Sequence, residues 1–219
     1  MLMIELQIES RQILLSPLEQ SLAKAAASRH ALRLQLQSQL SPRLPSYSPA
    51  PSILLQDVTL KAMIHKFSEQ IVYHPLEEIR AWFNYSGGLF LEPGYPPLFY
   101  ARSKSQEISP NKSAIAGVGE GVAGFLAQRL YRCRKLARPI HDYPDLVLEG
   151  NGKTYLVESK ATTEPVSVMQ RTIDEELLRM AAYVSVCAEL DTRPVVGLLI
   201  GTALVSEVDY YCCVSEVLL

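Results

Sequence analysis

The hydrophobic positions change period along this chain, and each change marks an element. Residues 2 to 9 alternate, with Leu2, Ile4, Leu6 and Ile8 apolar and Glu5, Gln7 and Glu9 polar. Period two predicts a short strand with one buried face. The period lengthens after Ser16. Ser16, Pro17 and Glu19 stand at N-cap, first-helical and capping-box positions. Leu18, Leu22, Ala25, Leu32 and Leu36 then form a stripe that predicts a helix to about Leu40. Residues 41 to 52 are proline- and serine-rich and read as a connector. Leu60, Ile64, Phe67 and Ile71 predict a second helix, which His74-Pro75 breaks. Pro75, with Glu77 and Glu78 in its first turn, starts a third. That helix carries Ile79, Trp82 and Phe83, with Trp82 expected in the core. Residues 86 to 97 read as loop, Leu98-Phe99-Tyr100 as the start of a strand, and Arg102, Lys104 and Lys112 as a polar stretch behind it.

In the second half, Ile115, Val118, Val122, Phe125, Leu126 and Leu130 share one stripe and predict a helix over 114–131. Glu120 lies nearly opposite that stripe, beside Ala116, Gly117, Gly124 and Ala127. Such small residues admit close approach of a second element, or leave that face to solvent. The glycines at 117, 119 and 121 lack the Gly-Lys-Ser/Thr ending of a phosphate loop. Ser167 and Gln170 predict a capping box for a later helix with Ile173, Leu177, Met180, Ala181, Val184 and Ala188 on its stripe. The continuous apolar run Val195 to Ile200 predicts a buried strand, and Val208 to Val214 a last one.

The chemistry concentrates between these helices, in residues 143 to 160. Val147 and Leu148, then Tyr155, Leu156 and Val157, flank Asn151-Gly152. Asn-Gly between two apolar runs is the strongest short hairpin signal, because a type I′ turn needs positive φ at both central residues. With Asn151 and Gly152 as the loop, Gly150 pairs with Lys153, and counting back along both strands sets Asp145 opposite Glu158. Lys160 points to the same face. Directly opposed carboxylates repel unless a proton or a cation lies between them. A hard divalent ion such as Mg²⁺ is the natural occupant.

At Pro144-Asp145 and Glu158-Ser159-Lys160 the chain resembles the PD-(D/E)XK nuclease superfamily, over roughly residues 96 to 219 as an order of elements. The resemblance implies an α/β fold: a mixed central β-sheet flanked by helices, a restriction-endonuclease-like core. To this the sequence adds a mainly helical N-terminal region over residues 1–95, with its connector at 41–52. The implied activity is metal-dependent DNA endonuclease hydrolysis. Asp145, Glu158 and Lys160 are the expected catalytic residues. Asp145, Glu158 and the Ser159 carbonyl are the expected ligands of Mg²⁺, with Mn²⁺ as a substitute. Glu120, by order, is a further one, since the helix before the motif often supplies a glutamate. Some branches carry a glutamine and a tyrosine four residues apart on the later helix. Gln170 and Tyr183 are too far apart for that. The alternative is a catalytically inactive member of the same fold, acting as a DNA-binding or assembly subunit.

Composition changes the picture in two places. At 219 residues, 48% hydrophobic and 20% charged, the chain suits one sizeable soluble core. Its net charge of −2 does not advertise nucleic-acid binding, so a local patch is required. Arg129, Arg132, Arg134, Lys135 and Arg138 are the densest candidate, and Gln170 and Arg171 are placed to meet phosphate at the start of the later helix. DNA is therefore the expected partner, with a homodimer or a protein partner through the N-terminal region beside it. Cys133, Cys187, Cys212 and Cys213 form no C-x-x-C pair, which speaks against a zinc knuckle, and a reducing cytoplasm fits. His65, His74 and His141 have no evident partners. Glu5 and Glu9 argue against a signal peptide, and no apolar run would span a bilayer.

Overall fold

The alternation at the N-terminus runs further than its first residues suggest. In the computed structural model, which describes residues 2–26, 29–86, 110–139 and 143–219, β1 spans Met3–Leu14 and buries Ile4, Leu6 and Ile8 on one face. Ser16 then caps α1 (Pro17–Ala26). Its N–H and hydroxyl both donate to Glu19 Oε2 at 2.7 Å, and the Glu19 N–H returns a bond to Ser16 Oγ at 3.3 Å. The helix expected through Leu40 is two helices. α2 covers His30–Leu40, and Arg29 ahead of it is extended at φ −132° and ψ 109°.

The connector expected at 41–52 is a 3₁₀ turn at Ser41–Arg43 followed by β2 (Ser48–Gln56). β2 is the edge strand outside β1. An edge strand pairs on one side only, so Pro49 and Pro51 are tolerated there and discourage a further strand from adding. The N-terminal region, expected to be mainly helical, thus supplies two strands of the sheet. Leu98-Phe99-Tyr100, Arg102, Lys104, His141 and Asp142 lie outside the described residues.

α3 (Asp57–Phe67) ends before Ile71, which is fully exposed. The chain leaves the helix at Ser68, and the Glu69 N–H donates to the Glu120 side chain at 2.8 Å. α4 (Pro75–Ser86) buries Ile79, while Trp82 is half-buried rather than core. α5 (Lys112–Tyr131) is capped by the Asn111 side chain, which accepts from the Ser113 and Ala114 N–H groups. Its small-residue face is filled by α3. A Cβ at Gly121 would lie 2.6 Å from Ile64, and one at Gly124 2.2 Å from the Phe67 ring. Leu130, expected on the apolar stripe, is exposed at the helix end.

The remaining elements are β3 (Arg134–Ala137), β4 (Leu146–Gly150), β5 (Lys153–Thr162), α6 (Val166–Leu190), β6 (Val195–Leu204) and β7 (Asp209–Leu218). The seven strands form one mixed sheet in the order β2-β1-β7-β6-β5-β4-β3. β3, β4 and β5 are an antiparallel meander. α6 then carries the chain over, as a parallel pair requires, and β6 lies parallel to β5. β7 returns antiparallel to β6 and pairs with β1 in parallel. One core, with residues of α3, α4 and α5, covers one face; a second, with residues of α1, α2 and α6, covers the other. β6 is buried at every position, which is why it reads as an unbroken apolar run. No described helix is long and apolar enough to cross a membrane.

α6 starts with Pro165 at its N-cap and no side-chain cap. The expected Ser167–Gln170 capping box does not form, because the Gln170 amide donates to the Tyr211 hydroxyl at 2.7 Å.

The Gly124 contact gives a prediction with a definite sign. Gly to Ala within a helix ordinarily gains about 1 kcal/mol. Here the new methyl would meet buried Phe67 ring atoms at 2.2 and 2.3 Å, and overpacking costs about 1–3 kcal/mol. Gly124→Ala should therefore lower the urea midpoint, and a midpoint above wild type would refute the packing described.

Candidate active site at the hairpin

The hairpin folds in the register its turn dictates. Asn151 and Gly152 have φ of 49° and 73°, and Gly150 pairs with Lys153 through to Leu146 with Val157. β4 begins at Leu146, one residue after Asp145, so Asp145 faces Glu158 just beyond the ladder. Its backbone N–H donates to Glu158 Oε2 at 3.2 Å. Its carboxylate turns aside, and Oδ2 accepts from the Ser159 N–H at 2.7 Å and the Ser159 hydroxyl at 2.8 Å. Both carboxylates thus take backbone donors from the partner strand rather than meeting head on.

Glu158 is 1% exposed. Burial first, and then the nearby Asp145 carboxylate, raise its pKa from 4.5 to about 7, while Lys160 pulls the other way. Lys160 Nζ lies 2.5 Å from Glu158 Oε1 and 3.5 Å from Glu176 Oε1. Burial opposes the charge on Lys160, but its bond to Glu158 and the surrounding acids outweigh this and raise its pKa. Asp145, Glu158, Ser159 and Lys160 are therefore brought together as the sequence expects.

Three further residues belong to this cluster. Glu176 on α6 shares the Lys160 ammonium. Tyr143 is buried, and its hydroxyl has no hydrogen-bond partner among the described residues. Its pKa is pushed up by burial and by Glu158 and Glu176. The Arg179 guanidinium carbon stands 4.3 Å from the centre of the Tyr143 ring. Glu176, Arg179 and Tyr183 run beside the apolar stripe of α6 at helical spacing, which marks them as a flank. The stripe alone does not say which flank meets β5.

Other candidates go elsewhere. Glu120 is 7% exposed, but it accepts from the Glu69 N–H, from Gln70 Nε2 at 3.4 Å and from Arg138 Nη2 at 3.2 Å. The second packed element beside it is α3, and Glu120 serves the chain that leaves α3. Arg138 also pairs with Glu69. Arg134 pairs with Glu149, and Lys135 donates to the Lys66 carbonyl at 3.0 Å. Glu149 lies four residues along β4 from Asp145, about 13 Å at ~3.3 Å per residue. Arg129 and Arg132 form no ion pair among the described residues. Gln170 faces Tyr211 and Glu9, toward β7 and β1, and Arg171 is exposed.

A hard divalent cation commonly rests on one or two carboxylates and water. Among the described residues no group of three or more His, Cys, Asp or Glu is placed to hold a metal. The pair Asp145 and Glu158 nevertheless fits such an ion in donor type. Glu158 is a buried carboxylate whose charge is opposed by its surroundings, and a cation there would relieve that.

Comparisons with family models, with curated proteins and with solved structures returned no match to this chain.

Two outcomes follow from these environments. In metal-free protein Glu158 holds its proton up to about pH 7 when folded, against an ordinary value of 4.5. The folded state then binds the extra proton between those values, so stability falls as pH rises through 7. Urea unfolding in EDTA should show wild type losing about 2 kcal/mol relative to Glu158→Gln between roughly pH 5 and 8. Parallel pH profiles would contradict the burial of that charge. Separately, Arg138→Ala leaves the buried Glu120 carboxylate without its cation and should cost about 3 kcal/mol. Arg129→Ala should stay within about 0.5 kcal/mol of wild type. Equal effects in the two variants would remove the distinction.

Proposed function

We propose that the chain is a metal-dependent deoxyribonuclease of the PD-(D/E)XK, restriction-endonuclease-like kind, hydrolysing phosphodiester bonds. The observation that carries this is the buried Glu158 facing Asp145 across the hairpin, with Lys160 two residues on. The order α5, β3, β4-β5 hairpin, α6, β6, β7 supports it, being the helix, hairpin, helix, strand, strand order the resemblance implies with one short strand, β3, added before the hairpin.

Asp145 and Glu158 would hold Mg²⁺, or Mn²⁺ in its place, with the Ser159 carbonyl as a third oxygen. When bound, the ion would supply an activated water and offset charge building on the phosphate. Asp145 is oriented by the Ser159 N–H and hydroxyl. Lys160 stays protonated and neutralises the developing negative charge or orients the water. Glu176 gives the ammonium a second anchor, which would keep Lys160 in the site with Glu158 holding the ion. Glu120, tied to Arg138 and to the Glu69 backbone, is structural in this scheme. Arg129 and Arg132 are the members of the basic cluster left for DNA phosphates.

One observation favours a second reading, an inactive DNA-binding or assembly subunit of the same fold. Lys160 already neutralises Glu158, and Asp145 Oδ2 already accepts two hydrogen bonds. Plasmid cleavage in Mg²⁺, Mn²⁺ and EDTA separates the two. The expected result is cleavage that needs metal and drops at least about 100-fold in Asp145→Ala and in Lys160→Ala. Calorimetric titration with Mn²⁺ completes the test: no binding at Asp145 and Glu158, with no cleavage, would retire the nuclease in favour of the scaffold.

A further inference from the structure

We propose that the cleft beside this site holds one unpaired nucleotide of the DNA strand, so that single-stranded or frayed DNA is preferred over a closed duplex. The identity of the strand rests on the nuclease reading; the cleft itself does not. It has a volume of about 750 Å³ and lies between α6 and the pair α1 and α2. That is within the roughly 300–1,000 Å³ typical of small-molecule sites. Leu178, Ala182 and Val186 give it an apolar wall, and Arg33, Arg179 and Tyr183 supply its cationic and aromatic groups.

The lining recognises a nucleotide by its parts. Among the described residues the lining carries Arg33, whose Nε donates to the Ala26 carbonyl at 2.9 Å, and Arg179, whose guanidinium lies over the Tyr143 ring, with Glu175 as its carboxylate; a guanidinium has five donors in a fork suited to a phosphate. The Tyr183 ring is partly exposed, and an aromatic face accepts any base by stacking. Bases inside a duplex are already stacked and reach a pocket only at the cost of unpairing. An unpaired base enters without that cost.

The cleft is separated from the carboxylate cluster by the buried Tyr143 ring. Arg179 lines the cleft and stands 4.3 Å from the Tyr143 ring centre. Tyr183 lines it too, with its ring centroid 4.8 Å from that of Tyr143. Tyr143 is two residues from Asp145, and Glu158 and Glu176 act on its hydroxyl. A strand whose phosphate sits at Asp145 and Glu158 therefore has a neighbouring place for its next base, one aromatic layer away.

The test is fluorescence anisotropy of a labelled oligonucleotide with the full chain, in EDTA and at one fixed salt concentration. Single-stranded and blunt duplex forms are compared for wild type, Val186→Trp, Tyr183→Ala and Tyr183→Phe. Wild type should bind the single strand about tenfold or more tighter than the duplex. Val186→Trp, which fills the cleft, and Tyr183→Ala should weaken single-strand binding about tenfold, while Tyr183→Phe keeps it. Melting temperatures check the fold, and if Val186→Trp melts without a transition the Tyr183 pair decides. Equal affinity for both forms, or tight single-strand binding by the cleft variants, overturns the proposal. Wild-type protein that binds through the cleft but cuts nothing in Mg²⁺ would sink the nuclease and leave the cleft. A metal-dependent cutter indifferent to Val186→Trp and Tyr183→Ala would do the reverse.

Discussion

A carboxylate taken out of water needs a partner, and Glu158 has its partners because β4 begins one residue after Asp145. Had the ladder continued, Asp145 and Glu158 would stand opposed as side chains on one face. Instead the Asp145 N–H bonds Glu158 and the Asp145 carboxylate bonds the Ser159 N–H. The end of pairing thereby becomes a polar pocket at the margin of an apolar sheet. Lys160 completes it, and α6 closes it with Glu176. The parallel crossover from β5 to β6 is what lays α6 over this place.

A second buried carboxylate shows the opposite use of the same physics. Glu120 sits on the face of α5 where glycines let α3 approach. Its oxygens are met by backbone and side-chain donors from the segment after α3, and by Arg138. Its bonds stop α3, hold the next segment and fix the chain after β3. Glu120 has a full set of local donors and serves architecture; Glu158, with its pKa raised by burial, has the Lys160 ammonium as its counter-charge.

The basic cluster illustrates how far composition can mislead. Five cations within ten residues carry no acid among them, which makes a phosphate patch the natural expectation. The fold brings Glu149, Glu69 and Glu120 to Arg134 and Arg138, while on α6 Arg179 and Tyr183 pack against Tyr143, two residues before Asp145.

The sequence by itself determined what depends on neighbours. Asn151-Gly152 set the hairpin and its register, Ser16 and Glu19 set a cap, and alternation or unbroken apolarity marked β1 and β6. These signals are local, because turn φ values, capping bonds and periodicity involve residues a few positions apart. The tertiary structure alone decided that a proline-rich stretch would be an edge strand, since an unpaired side is a property of the sheet. It alone decided that the long N-terminal helix would divide and that α3 would stop short of Ile71. It also decided which acids reach which bases, and that Glu176 and Arg179 belong with Asp145 and Glu158. Those pairings join residues tens of positions apart, and no spacing along the chain encodes which flank of a helix will face a given strand.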